Sequence, residues 1–121
     1  MKLEPNLWFD EVVKTYHLIS PHIHHTQLVT CPNLNEELGG RYLFKPESLQ
    51  ITGSFKVRGA LSAISRLSKD ELKRGVIAYS SGNHAQGVAH AAKVFNTPAT
   101  VVMPKDAPER KIANARALGA E

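Results

Sequence analysis

The sequence predicts an α/β fold built on a parallel sheet, and three observations carry that prediction. Residues 76–79 and 99–103 are short apolar runs of strand length. Residues 83–95 between them read as a helix rich in small side chains (Ala85, Gly87, Ala89, Ala91, Ala92), which lets it lie close on a sheet. Another helical pattern follows the second run, so the order is strand, helix, strand, helix, the order of parallel strands joined by right-handed crossovers. Two parallel strands leave faces and edges in need of cover. The pattern therefore reads as an incomplete parallel-sheet unit, with a third strand due at residue 121.

The earlier elements follow the same logic. Residues 6–18 place Leu7, Trp8, Val12 and Tyr16 at roughly helical spacing, and Pro21 ends that helix. Residues 22–40 are expected to be irregular, broken by Pro32 and by Gly39-Gly40. Residues 41–44 read as a short strand stopped at Pro46. Ser54 is the expected N-cap of the next helix. Along that helix Val57, Ala60, Leu61, Ile64 and Leu67 form one apolar stripe, with Lys56 at its edge and Ser62 and Arg66 on the solvated side. Ser68-Lys69-Asp70-Glu71 is a capping box, and Gly75 closes the short helix it opens. Asp106 is expected to cap the last helix, with Pro108 in its first turn and its end near Gly119.

Composition narrows the function classes. Among 121 residues, 42% are hydrophobic and 21% charged, which argues against disorder, collagen and coiled coil. The formal charge of +4 is mild and interspersed with acids. It suits an anionic ligand such as a phosphorylated cofactor, while no aromatic platform or recognition motif supports nucleic-acid binding. The single cysteine, Cys31, forms no internal disulfide and is read as structural. Residues 1–10 carry Glu4 and Asp10 and lack the apolar core of a secretory signal. No run of about 18 apolar residues exists to span a membrane, and cytoplasm is the expected compartment.

Two segments can carry chemistry. Ser80-Ser81-Gly82-Asn83-His84 joins a strand to a small-residue helix. Ligands of open parallel sheets bind beyond the carboxyl ends of the strands, and the free N–H groups of a helix start favour anions. Hydroxyl, amide and imidazole groups add donors there, so a carboxylate or phenolate-like oxygen fits. The bland alternative is a turn whose Ser and Asn side chains satisfy local N–H groups. The fingerprints of dinucleotide-binding loops, P-loops and nucleophile elbows are all absent. In the second segment, Ser54-Phe55-Lys56, a lysine at the edge of an apolar stripe is open to partial desolvation, which frees an amine for Schiff-base chemistry. A lysine alone more often extends its ammonium to water.

Taken together, Thr52-Gly53-Ser54-Phe55-Lys56-Val57-Arg58-Gly59-Ala60 and Ser81-Gly82-Asn83-His84-Ala85-Gln86-Gly87 resemble the pyridoxal-phosphate (PLP) enzymes of fold type II, above all threonine/serine dehydratases and serine racemase. Leu43-Phe44-Lys45-Pro46-Glu47, Val102-Met103-Pro104 and Gly119-Ala120-Glu121 extend the likeness over nearly the whole chain. The resemblance implies the N-terminal part of the tryptophan-synthase-β-like fold. Residues 1–75 would begin a larger domain and 76–121 a smaller one, with the active site between them. It implies that Lys56 forms the Schiff base, that Phe55 lies against the cofactor and that Asn83 hydrogen-bonds the 3′ oxygen of the PLP ring. Ser81, Gly82, Asn83 and His84 would hold the substrate carboxylate.

The implied reaction removes ammonia from L-threonine or L-serine to give a 2-oxo acid. Ser81 matches the second proton carrier of serine racemases, whereas Ala85-Gln86-Gly87 looks more like the dehydratases. The complete protein would be a homo-oligomer. The family's glycine-rich phosphate loop and its partner for the pyridine nitrogen come later in the chain, so the 121 residues are expected to hold the lysine without the phosphate anchor. A non-catalytic fragment acting by binding or assembly is the rival of another class.

Two clusters remain. His22, His24 and His25 invite a metal reading, but an exposed segment without metal is expected. Lys105, Arg110, Lys111 and Arg116 could attract an anion such as a nucleotide effector, and a solvated helix face is the expected reading.

Overall fold

The computed structural model describes residues 5–121. The Met1–Glu4 part of the N-terminal reading and the side chain of Leu7 lie outside the described residues. Helix α1 spans Pro5–Ile19 and α2 spans Pro32–Glu37. After them come α3 at Lys56–Ile64, α4 at Lys69–Arg74 and β1 at Val76–Tyr79. The chain closes with α5 at Asn83–Val94, β2 at Ala99–Val102 and α6 at Glu109–Ala117.

Strands β1 and β2 pair in parallel, Val76 opposite Ala99 and Tyr79 opposite Val102. The carboxyl ends of both strands therefore lie at the same edge of the sheet. Glu121 continues the ladder: its N–H donates to the Ala99 carbonyl at 2.9 Å and its carbonyl accepts from Val101 N–H at 2.7 Å. The sheet itself has two strands, and Glu121 pairs with the β2 edge only through these two bonds.

The core sits between α3, α5 and one face of the sheet. Val57 and Leu61 are fully buried and meet Val88, Ala89, Ala91 and Ala92 of α5, with Val76 and Ala78 of β1 packed behind them. Burying each of these two large side chains contributes about 1.5–3 kcal/mol. The small residues of α5 bring its axis close to both α3 and the sheet, as their pattern predicts. The opposite face of the sheet is open. Ile77 and Tyr79 are more than two-thirds exposed, so β1 is covered on one face only, although its run is apolar throughout. On α1, Ile19 reaches the core while Trp8 and Val12 stay exposed.

Several boundaries differ from the expected ones for local reasons. Pro32 does not break the 22–40 segment but starts α2 at its first position, where its fixed φ and missing N–H cost nothing. Residues 41–44 form only an isolated antiparallel bridge, Val29 with Phe44, in place of a strand. Helix α3 begins at Lys56 after Phe55, which already has helical dihedrals, and its cap position carries no side-chain bond; the Ser54 hydroxyl accepts only a long 3.4 Å bond from Lys56 N–H. Helix α3 stops at Ile64, and Leu67 packs against the core from the following turn. Helix α6 starts at Glu109 with Pro108 as its cap, since a residue before proline is biased away from helical dihedrals and Asp106 is left outside. The capping box of α4 forms as expected, with Ser68 and Glu71 bonding reciprocally, and Gly75 ends that helix at φ +87° with the Pro98 carbonyl 2.9 Å from where a Cβ would stand.

Candidate active site

The lysine motif is held from behind by two polar clamps. Gln50 is buried, and its amide accepts from the N–H groups of His24 and Ile51 and donates to the His24 carbonyl. It fastens the segment before the motif to the turn after α1. Glu47 binds Arg58 through both carboxylate oxygens, at 2.7 and 2.8 Å, and accepts from the Thr26 hydroxyl at 2.6 Å. The Arg58 hydrogen bonds hold the Glu47 carboxyl at about 2, well below its ordinary value and against the opposing effect of burial. Arg58 stands two residues after Lys56, so the pair fixes the rotation of the first turn of α3. Neither clamp was singled out in the sequence; the one signal was Glu47 in the run Lys45-Pro46-Glu47.

Lys56 begins α3 and is exposed. The partial desolvation expected from its place on the stripe is not supplied by the described residues, because nothing covers the first turn on that side. Its ammonium lies 5.0 Å from the centre of the Phe55 ring, itself exposed. Its backbone is enclosed instead. A Cβ at Gly87 would stand 3.1 Å from the carbonyl carbon and oxygen of Lys56 and 3.2 Å from Val57 N. Gly87 lies one turn beyond Asn83, so this contact sets the start of α3 beside the first turns of α5.

The loop before α5 follows the carboxyl end of β1, as expected. Ser80 turns inward, and its hydroxyl accepts from the N–H groups of Gly82 and Ala85, both at 3.2 Å. Ser80 therefore takes the local capping role, and Ser81 stays exposed beside Asn83 and His84. Asn83 Oδ1 accepts from Lys111 Nζ of α6 at 2.6 Å. Lys111 is half-buried, so within the basic stretch it makes a specific contact across to α5. His84 lines a separate apolar crevice of about 270 Å3 with Gly59, Ala60, Ile77 and Val88. Lys56 and Phe55 are exposed at the start of α3, and Ser81 and Asn83 are exposed with half-buried Gly82 at the start of α5, where His84 also lines the crevice beside α3. Lys111 and Arg110 also border a cleft of about 590 Å3 with Thr52, Gly53 and Gln86.

The three histidines disperse. His22 meets the Phe95 ring, His24 the Leu49 carbonyl and His25 the Tyr16 hydroxyl. No group of three metal-ligating side chains occurs among the described residues. None of the described helices is long and apolar enough to cross a membrane.

Comparison with known proteins identifies the family and the fold. The chain is 54% identical over 99 residues to an L-threonine ammonia-lyase of Thermotoga maritima, covering 82% of this chain and 25% of that protein. It is 45% identical to an L-threo-3-hydroxyaspartate ammonia-lyase of Saccharomyces cerevisiae, covering 93% and 34%. The crystal structure of serine racemase from Dictyostelium discoideum superposes with a TM-score of 0.88 at 41% identity, covering 92% of this chain and 36% of that one. The chain thus spans a quarter to a third of the length of the curated relatives it matches. Its fold is the N-terminal part of the fold type II PLP-enzyme architecture. Residues 19–121 match the family of pyridoxal-phosphate dependent enzymes, and the chain belongs to that family.

Proposed function

We propose that this chain carries the lysine and ring-binding part of an ammonia-lyase that acts on small β-hydroxy amino acids, L-threonine or L-serine. The observation that supports the reading is the close approach of Gly87 in α5 to the Lys56 backbone, which brings the start of α3 beside the first turns of α5. The residues there fit PLP. A primary amine stands free beside an aromatic ring, and a helix start offers hydroxyl and amide groups suited to an anionic ring oxygen and a carboxylate. Residues 1–75 would open the larger domain and 76–121 the smaller one, with homo-oligomer formation in the complete protein.

Bound PLP supplies the electron sink. Lys56 would hold the cofactor through its Nζ and, as a free amine, would take the substrate α-proton as general base. Asn83 would donate to the ring oxygen. Phe55 would supply an apolar face to the ring that excludes water. Ser81, Gly82 and His84 would orient the substrate carboxylate. The net change would be loss of the α-proton and β-hydroxyl as water, followed by hydrolysis to a 2-oxo acid and ammonia.

Serine racemisation is the second reading, and one observation favours it. The Ser80 hydroxyl is occupied by two backbone N–H groups, so Ser81 is the serine left to carry a proton on the other face of the substrate. Chiral analysis of serine after incubation separates the two readings from 2-oxo acid production.

The test of the site is borohydride reduction of the chain with PLP, followed by peptide mass spectrometry, with Lys56→Ala alongside. Selective labelling of Lys56 is expected. Labelling scattered over many lysines, unchanged in Lys56→Ala, would favour the non-catalytic reading of this segment.

A further inference from the structure

An asparagine that serves a phenolate-like oxygen must present its amide nitrogen. A flipped amide would set Oδ1 against the ring oxygen, two acceptors face to face. Something must therefore choose the orientation of Asn83. The adjoining helix supplies that choice. Lys111 Nζ donates to Asn83 Oδ1 at 2.6 Å. An ammonium has three donors and no acceptor, so it binds the oxygen end of an amide only. With Oδ1 held by α6, Nδ2 turns away from α6 and is left as the free donor.

The contact belongs to a seam. Three residues further along both helices, Asn114 Nδ2 donates to Gln86 Oε1 at 3.1 Å. Steps of three residues keep one face of a helix, so residues 83 and 86 of α5 meet residues 111 and 114 of α6 in register. In both contacts α6 donates and the α5 amide accepts. Gln86 is buried, with its Oε1 toward α6 and its Nε2 without a partner among the described residues. Ala115 is buried on the same helix and anchors α6 against the body of the chain. A charge-assisted bond also polarises the amide, which makes its N–H a better donor.

We propose that Lys111 is a positioning residue for the cofactor site: it fixes the amide orientation of Asn83 and so presents Nδ2 to the ring oxygen of PLP. This rests on the role given to Asn83 above. Lys111 acts through Asn83 and touches neither cofactor nor substrate in this role.

The test uses the PLP-loaded protein with Asn83→Ala, Lys111→Met, Lys111→Arg and the double variant Asn83→Ala/Lys111→Met. The readouts are PLP affinity and the ratio of visible to near-ultraviolet absorbance of the Lys56 Schiff base. Donation to the ring oxygen favours its ionised, visible-absorbing form. Lys111→Met is expected to move the ratio toward the near-ultraviolet in the same sense as Asn83→Ala and to weaken PLP by up to roughly tenfold, the worth of one hydrogen bond. Lys111→Arg, which keeps the charge and the donors, is expected to restore the ratio. The double variant is expected to match Asn83→Ala alone, because the two residues act as one unit. A wild-type ratio in Lys111→Met beside an altered Asn83→Ala overturns the inference and leaves the site standing. Additive shifts in the double variant overturn it too, since Lys111 would then act independently of Asn83. An unaltered Asn83→Ala removes the role of Asn83, and the inference with it.

Discussion

Gly87 of α5 touches the backbone of Lys56 at the start of α3, with space for a Cβ only 3.1 Å from the Lys56 carbonyl. A hydrogen at this position is what lets the two helices close. Gly87→Val places a branched side chain against main-chain atoms that have no rotamer to yield. It is expected to destabilise the protein by about 1–3 kcal/mol, the usual cost of overpacking. It is also expected to reduce Lys56 labelling by PLP and borohydride, because the start of α3 must move. Urea unfolding reads the first effect and peptide mass spectrometry the second. Unchanged stability with unchanged labelling would show that the helices separate there without consequence.

Glu47 and Arg58 give a pH-dependent clamp. The folded carboxyl titrates at about 2, below its ordinary value of 4.5. As pH falls, the unfolded chain takes up this proton first, so the contribution is complete above about pH 4.5 and is lost from there down to about pH 2. Glu47→Gln is expected to cost about 2 kcal/mol at pH 7, as for hydrogen bonds to a charged group, and markedly less near pH 2. Denaturant unfolding at the two pH values checks this. An equal cost at both would mean that the charge of Glu47 contributes nothing.

Ser68 and Glu71 form a reciprocal cap on the six-residue helix α4. Ser68→Ala leaves the Glu71 N–H without its acceptor and is expected to lower stability by about 1 kcal/mol, a fall of a few degrees in Tm. Ser68→Asp, which keeps an acceptor at the cap, is expected to recover most of it. Thermal melts of the two variants decide the matter.

The elements that were legible in the sequence are those set by local rules. The capping box, the small-residue helix and the strand–helix–strand order all follow from side-chain chemistry within a few residues. The errors came where a residue had two local meanings. Pro32 served as a helix start and not a breaker, and Pro108 displaced Asp106.

By itself the sequence determined the parallel α/β pattern and the two motifs, Ser54-Phe55-Lys56 and Ser81-Gly82-Asn83-His84, because periodicity, turn residues and motif spacing are written along the chain. Only the tertiary structure decided which distant side chains meet. Gln50 with His24, Glu47 with Arg58, Gly87 with Lys56 and Lys111 with Asn83 lie 11 to 31 residues apart. Periodicity carries no record of such pairs, since each depends on how helices and turns pack against one another once the chain has folded. The exposure of Lys56 and the division of labour between Ser80 and Ser81 were decided at the same level, by which atoms happen to face the core and which the open end.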